Sequence, residues 1–381
     1  MSEWKKVKFL DVVSLNPRIS LEKGVEYPFV EMSNAVPGAR KPEKDVYQKY
    51  SGGGAKFEEG DTVVARIEPC LQNGKGFQCP YKKGFGSTEF LVFRPMNIKE
   101  MDFNFLYYYM GQQSIREAMA KTMVGASGRQ RVNNAVFNDL QINLPPLNIQ
   151  LDIATILSRY DSLIENYQKQ IKLLEEAAQR LYKEWFVDLH FPGHENTKII
   201  DGVPEGWKKK TLDEYCSVFT GKKNANAAVP LGKYKFFTCG ETPLQINSFI
   251  YDGPAIIISG NGSYTGRTTF YEGKFDLYQR TYACTISNND NKDMIYGLFE
   301  IVKCELTAQI SGGTHGAAIP YIVMGDVTKF TFTSNDIILR KFSKIIKSFL
   351  DRTMCISSQI RLLTEARDRL LPKLMNGEII T

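Results

Sequence analysis

The strongest constraint in this sequence is an apolar seam that occurs twice. Stepping alternately by four and three residues from Ile153 meets Leu157, Tyr160, Ile164, Tyr167, Ile171, Leu174, Ala178, Leu181 and Trp185. The same rhythm returns 189 positions later (the difference between 360 and 171) at Phe342, Ile346, Phe349, Thr353, Ile356, Ile360, Leu363, Arg367, Leu370 and Leu374. Inside it, IKLLEEAAQRL (Ile171–Leu181) and IRLLTEARDRL (Ile360–Leu370) share Ile, Leu, Leu, Glu, Ala, Arg and Leu in the same places. A stripe of that period keeps one side of a helix apolar over several turns, which is the pattern of a coiled coil. Only Thr353 and Arg367 interrupt it. Each helix then spans about 40 residues, or about 60 Å at 1.5 Å per residue. The two stripes are predicted to pack on each other; the alternative is that each docks on its own neighbouring domain.

The rest of the chain repeats more faintly. EWKKVKFLDVVSL (Glu3–Leu15) aligns with GWKKKTLDEYCSV (Gly206–Val218), Trp4 over Trp207. DFNFLYYY from Asp102 resembles DMIYGLFE from Asp293, and VNNAVFNDLQI (Val132–Ile142) resembles IPYIVMGDVTK (Ile319–Lys329). Short β runs broken by glycine turns fill each globular part, for example Asp61–Arg66, Phe90–Phe93, Ala255–Ser259 and Thr281–Ile286. One helix per part is expected, near 103–121 and 292–309. Pro192 and Gly193 are expected to end the first long helix. The predicted fold class is α+β, a tandem duplication of a globular domain followed by a long helix. The boundaries are 1–145 for the first domain, 146–190 for the central helix, 191–334 for linker and second domain, and 335–381 for the last helix.

No catalytic constellation stands out. Asn143-Leu-Pro-Pro departs from an Asn-Pro-Pro-aromatic methyltransferase loop at Leu144, and reads as an entry to the long helix. Gly260–Gly266 (GNGSYTG) does not fit GxGxxG and reads as a flexible loop, and no GxxxxGK[ST] occurs. His190 and His194 straddle Pro192-Gly193, so no helical face presents both to a metal, and His315 is the one other histidine. The reading is a chain without catalytic, metal or cofactor sites of its own. Seven cysteines with no CxxC argue against a disulfide framework. No apolar run is long enough for a membrane span, so a cytoplasmic protein is expected.

A formal charge of +6 permits nucleic-acid binding without requiring it. More specific are glycine-flanked loops in both halves, where backbone can approach phosphate and Lys or Arg can neutralise it. In the first half ARIEPCLQNGKG supplies Arg66, Glu68, Asn73 and Lys75. YKKGFGSTEF supplies Lys82, Lys83, Ser87, Thr88 and Glu89, and GRQR supplies Arg129, Gln130 and Arg131. In the second half TGKKNAN supplies Lys222, Lys223 and Asn224. GNGSYTGRTTF supplies Asn261, Tyr264 and Arg267, and LYQRTYA supplies Gln279, Arg280 and Tyr282. Arg66 and Glu89 are the first candidates to read base edges. For any one of these residues a solvated surface group is the plainer alternative.

LPPLNIQLDIATILSRYD (Leu144–Asp161), WFVDLHFPGHE (Trp185–Glu195) and RDRLLPKLMNGEI (Arg367–Ile379) together resemble the specificity subunit of type I restriction–modification enzymes, as do GDTVVARIEPCLQNGKG and GKFDLYQRTYA. The likeness runs over essentially the whole chain, although FTFTSNDI replaces the Leu-Pro-Pro entry before the second helix. The resemblance implies two target-recognition domains separated by an antiparallel helix pair, each reading half of a split, asymmetric site in double-stranded DNA. It also implies two methyltransferase subunits carrying S-adenosylmethionine, and motor-endonuclease subunits using ATP and Mg. Lys169, Lys172, Glu175 and Glu176, on the outer helix face, are candidates to touch those partners. A coiled-coil adaptor binding only protein partners is the competing reading.

Overall fold

The computed structural model describes residues 4–310 and 321–379. Ile319, Pro320 and His315 lie outside the described residues. The chain divides into two compact units, and the divisions fall inside the long helices. The first unit joins the chain up to Lys169 with the segment from Ser358 onward; the second is Gln170–Ser357.

Unit 1 begins with β1 (Lys5–Lys8), α1 (Phe9–Val12), β2 (Val13–Leu15), β3 (Glu26–Val30) and β4 (Tyr47–Lys49). It continues through β5 (Ala55–Glu58), β6 (Thr62–Ala65), β7 (Gly76–Gln78), β8 (Lys83–Gly86) and β9 (Phe90–Pro95). Then come α2 (Phe103–Met110), α3 (Gln113–Ala120), α4 (Val136–Asp139), β10 (Gln141–Leu144) and the long helix α5 (Leu147–Tyr182). Two four-stranded sheets form, in the orders β2-β9-β6-β7 and β4-β3-β8-β5, and β1 pairs with β10. Side chains alternate across a strand, and β6 uses both faces. Val63 packs with Phe57, Phe77 and Val92, whereas Val64 packs with Phe9, Leu91 and Phe93. The single helix expected over 103–121 is two. Asp102 caps α2 by accepting from the Asn104 and Phe105 amides at 2.9 Å, and the helix stops at Gly111 before α3 starts.

Unit 2 carries β11 (Ile199–Ile200), β12 (Val203–Pro204), β13 (Lys208–Thr211), β14 (Cys216–Thr220), β15 (Tyr234–Phe237) and β16 (Leu244–Ile246). These are followed by β17 (Tyr251–Ser259), β18 (Thr268–Leu277), β19 (Thr281–Ile286) and α6 (Ile295–Ile310). After α7 (Met324–Thr328) and β20 (Thr331–Ser334) comes the second long helix, α8 (Asp336–Met375). Its main sheet has the order β14-β19-β17-β18-β15-β16. On β17, Ile256 and Ile258 face the core beneath α6 while Ala255 and Ile257 face a second cluster with Phe275 and Leu277.

The duplication is visible in the pairing. Lys5 sits opposite Leu144 on β1 and β10, and Lys208 sits opposite Ser334 on β13 and β20. In each unit this two-stranded ladder leads into a long helix. The helix entries differ chemically. In the first turn of α5, buried Gln150 donates to the Pro145 and Glu100 carbonyls at 2.8 Å and accepts from the Asp102 amide. Before α8, where Leu-Pro-Pro is missing, the Asn335 side chain accepts from the Ile337 amide at 2.9 Å, an ordinary N-cap. The end of α5 also differs from expectation. The helix opens into a π turn at Lys183–Val187, closed by the Asp188 amide donating to the Lys183 carbonyl, and Leu189 then takes φ 61°. The helix has thus ended before Pro192 and Gly193 are reached.

All twenty seam positions are buried or half-buried, and none is exposed. In unit 1, Ile153 and Leu157 near the start of α5 share a core with Leu374 and Met375 at the end of α8. In unit 2, Trp185 near the end of α5 meets Phe342 near the start of α8, ring centroids 5.7 Å apart. The two helices therefore run antiparallel in each unit. Arg367, the charged interruption, is explained by its partner. Its Nη1 lies 2.7 Å from Asp161 Oδ1, with the two side chains 13% and 5% exposed. The Tyr108 hydroxyl donates to the other Asp161 oxygen at 2.5 Å. Burial and the Asp161 carboxylate push the Tyr108 hydroxyl far above its ordinary range. Among the described residues no helix is long and apolar enough to cross a membrane, and the seven cysteines are unpaired.

Candidate nucleic-acid interface

In unit 1 the candidate residues gather around the end of β6. The Arg66 amide donates to the Glu89 carbonyl and the Arg66 carbonyl accepts from the Val132 amide, both at 2.9 Å. One backbone position thus ties together the three segments singled out in the first half of the sequence. Glu68 joins the same junction, its amide donating to the Gln130 carbonyl. Arg131 grips Glu89 with two nitrogens, Nη2 to Oε1 at 2.7 Å and Nε to Oε2 at 2.9 Å. Hydrogen bonding from Arg131 holds the Glu89 carboxyl below its usual range, with the charges of Arg131 and Arg66 acting the same way. Arg66 itself is half-buried, and its Nε has no hydrogen-bond partner among the described residues.

The other unit 1 candidates are less alike than the sequence suggested. Asn73, Lys82, Thr88 and Arg129 are exposed. Lys75 is tied down, its Nζ donating to the Met32 carbonyl at 2.9 Å. Lys83 lies on β8 rather than in a loop, 3.9 Å from Glu58. The Ser87 hydroxyl accepts from the Glu89 amide, and the Gln130 side chain donates to the Gly125 carbonyl.

In unit 2, Lys222, Asn224, Tyr264, Arg267, Gln279 and Arg280 are exposed. Arg267 stacks over the Tyr264 ring at 5.2 Å and donates to the Glu241 carbonyl at 2.7 Å. The Gly262–Tyr264 stretch forms a short 3-10 turn between β17 and β18, and Asn261 bridges to Tyr321. Of two further candidates, one is half-buried and ion-paired and the other is buried. Lys223 is held by Asp276 at 2.7 Å, where Asp276 is 3% exposed. Tyr282 is 6% exposed, and its hydroxyl donates to the Ile322 carbonyl at 3.0 Å. It faces the core because it shares a strand face with Cys284, which packs in the same cluster. His190 and His194 do come together, ring centroids 5.2 Å apart. Their Nδ1 atoms face Glu184 and the Phe191 carbonyl, and no group of three metal-ligating side chains occurs among the described residues. Lys169, Lys172 and Glu175 on α5 are exposed and Glu176 is half-buried.

Residues 1–176 match the family model described as the type I restriction modification DNA specificity domain. The MjaIX specificity subunit of a type I restriction enzyme from Methanocaldococcus jannaschii is 28% identical over 301 residues, which is 72% of this chain and 68% of that protein. The EcoDI specificity subunit from Escherichia coli is 33% identical over 183 residues, 46% of this chain and 39% of that protein. By these matches the first half of the chain is similar to the specificity subunits of type I restriction enzymes. The crystal structure of an S subunit from M. genitalium superposes with a TM-score of 0.60 at 18% identity, covering 98% of this chain and 96% of that one. At that identity the likeness concerns the fold alone. The matched segments cover little more than a third of the EcoDI relative's length, and two thirds of the MjaIX relative's.

Proposed function

We propose that this chain is the DNA-recognition subunit of a type I restriction–modification complex and performs no bond-making chemistry itself. Each unit recognises one half of a split site in duplex DNA. The observation that carries this reading is duplication with divergence. The ladders leading into long helices and the seam recur in both units, while the candidate loops differ in sequence, with Arg66, Glu89 and Arg131 in one unit and Tyr264, Arg267 and Arg280 in the other. Repeated scaffolds suit the near-twofold symmetry of a duplex, and unlike loops imply a non-palindromic site. Helices of 36 and 40 residues act as a ruler for the unread base pairs between half-sites. About 60 Å of helix matches about 17 base pairs at 3.4 Å each.

Partner methyltransferase subunits supply S-adenosylmethionine and transfer the methyl group; motor-endonuclease subunits supply ATP- and Mg-dependent cleavage. The exposed face of α5 around Lys169, Lys172 and Glu175 is where such partners dock. Co-expression with a partner methyltransferase, followed by mapping of methylated adenines, tests the reading. A split, asymmetric methylated site is expected, and deletion of Ile164–Tyr167 shortens its gap. Methylation with an unchanged gap removes the ruler. Absence of any salt-dependent binding to duplex DNA leaves the protein-only adaptor instead.

A further inference from the structure

Between β2 and β3 the segment Asn16–Leu21 lines an open cleft of about 710 Å³ together with Gly54–Lys56 at the start of β5 and with Arg66. The charged side chains lining it are Arg18, Lys56 and Arg66; among the described residues no carboxylate lines it. This is unusual for unit 1, where Arg94 is paired with Asp61, Arg131 with Glu89 and Arg367 with Asp161. Arg66 has a buried Nε with no partner, and Lys56 rests over the Tyr50 ring at 5.4 Å. Three cations lining one cleft that no carboxylate lines form a site for an anion, with Glu89 beyond the lining near enough to Arg66 to feel its charge.

The rim of the cleft has a matching backbone. Gly52, Gly53 and Gly54 take φ of 119°, 76° and 72°, in the left-handed region that favours glycine. A side chain at Gly54 would put Cβ 2.5 Å from the Gly86 carbonyl oxygen, while Gly53 faces open space. Of the three, Gly54 lines the cleft, so bare backbone borders it where an anionic strand can approach closely.

Shape decides which part of DNA fits. The sugar–phosphate backbone is a ridge, and a ridge seats in a cleft. A side chain that reads base edges has to project into a groove. Arg66 is recessed, which suits a phosphate and not a base edge. We infer that this cleft clamps the backbone of duplex DNA, with Arg18, Lys56 and Arg66 neutralising phosphates while the Gly52–Gly54 loop lets the strand come close. The inference rests on the DNA-recognition reading above, and it reassigns Arg66 from base reading to sequence-independent grip.

The test measures binding of the full-length chain to a labelled duplex of mixed sequence by fluorescence anisotropy as NaCl rises. For wild type, log affinity falls linearly with log salt. Arg18→Ala and Lys56→Ala each flatten the slope by about 0.9, and the triple Ala variant flattens it by about 2.7. The loss is equal for all sequences recovered from a randomised pool. Arg66→Lys keeps the slope, because a point charge serves a phosphate but not a bidentate base contact. Both Arg18 and Lys56 are at least partly exposed, so their variants keep the test alive if Arg66→Ala fails to fold. Steep wild-type binding with an unchanged slope in Arg18→Ala and Lys56→Ala overturns the clamp and leaves the DNA reading standing. Arg66→Lys that relaxes a single base position also overturns it. Displacement of the duplex by sodium phosphate beyond that by NaCl at equal ionic strength marks a free-anion site, and refutes the backbone assignment. No salt-dependent binding by wild type removes both the clamp and the reading beneath it.

Discussion

Replacing Arg367 by Leu makes the helix seam apolar at a position where it is charged, and simple hydrophobic reasoning expects a gain. The structure predicts a loss. Asp161 is 5% exposed and would keep only the Tyr108 hydroxyl as a partner. Breaking a buried ion pair by removing one member costs about 3–5 kcal/mol, because the remaining charge stays desolvated. With a urea m-value of about 2 kcal/mol per molar, that moves the unfolding midpoint of unit 1 down by about 1.5–2.5 M. Trp4 packs beside Gly377 within unit 1, so its emission, with Trp185 and Trp207 changed to Phe, follows this unit. Asp161→Leu should lose a similar amount by stranding Arg367. Combining both changes with Tyr108→Phe, so that no hydroxyl is left without an acceptor, should return stability to within about 1 kcal/mol of wild type. Strict additivity of the single losses, or single losses below about 1 kcal/mol, would refute the account of Arg367.

Three further outcomes follow from geometry already described. Gly54→Ala, forced into positive φ against the Gly86 carbonyl, should destabilise unit 1 by about 1–3 kcal/mol in thermal melts. Tyr282→Phe should lower the melting temperature through its lost bond to Ile322 while leaving the salt slope of DNA binding untouched. Glu89 is held below its ordinary value of 4.5 by Arg131, so its contribution is present above that pH and fades as pH falls through the lower folded value. Glu89→Gln should accordingly melt below wild type at neutral pH, and the difference should vanish under acid conditions.

The helices were legible because burial of a helix face writes a local period into the sequence. What the period could not explain was Arg367, since its reason lies in Asp161 and Tyr108, far away along the chain. The ending of α5 was misread for a similar cause: a wide turn at Lys183–Val187 uses no residue type that announces it. At the candidate interface, the glycine-flanked basic loops were visible, yet Arg18 and Lys56 were missed. Neither sits in a basic cluster, and the cleft that both line exists only in the folded chain. The run SGGGAK was the available signal. Tyr282 was the opposite error. In TYACTI the alternation already placed it on the same side as Cys284, and chemistry suggested by its neighbours Gln279 and Arg280 outweighed that pattern.

The first unit closes its core with Leu374 and Met375, residues synthesised after the whole second unit. Domains usually fold in the order they leave the ribosome. Here the order is inverted: the part made first must wait, with its apolar floor uncovered, for the tail of the chain to return. A nascent chain halted at Ser357 holds every residue of the second unit and lacks the segment that completes the first, so the unfinished unit is the elder.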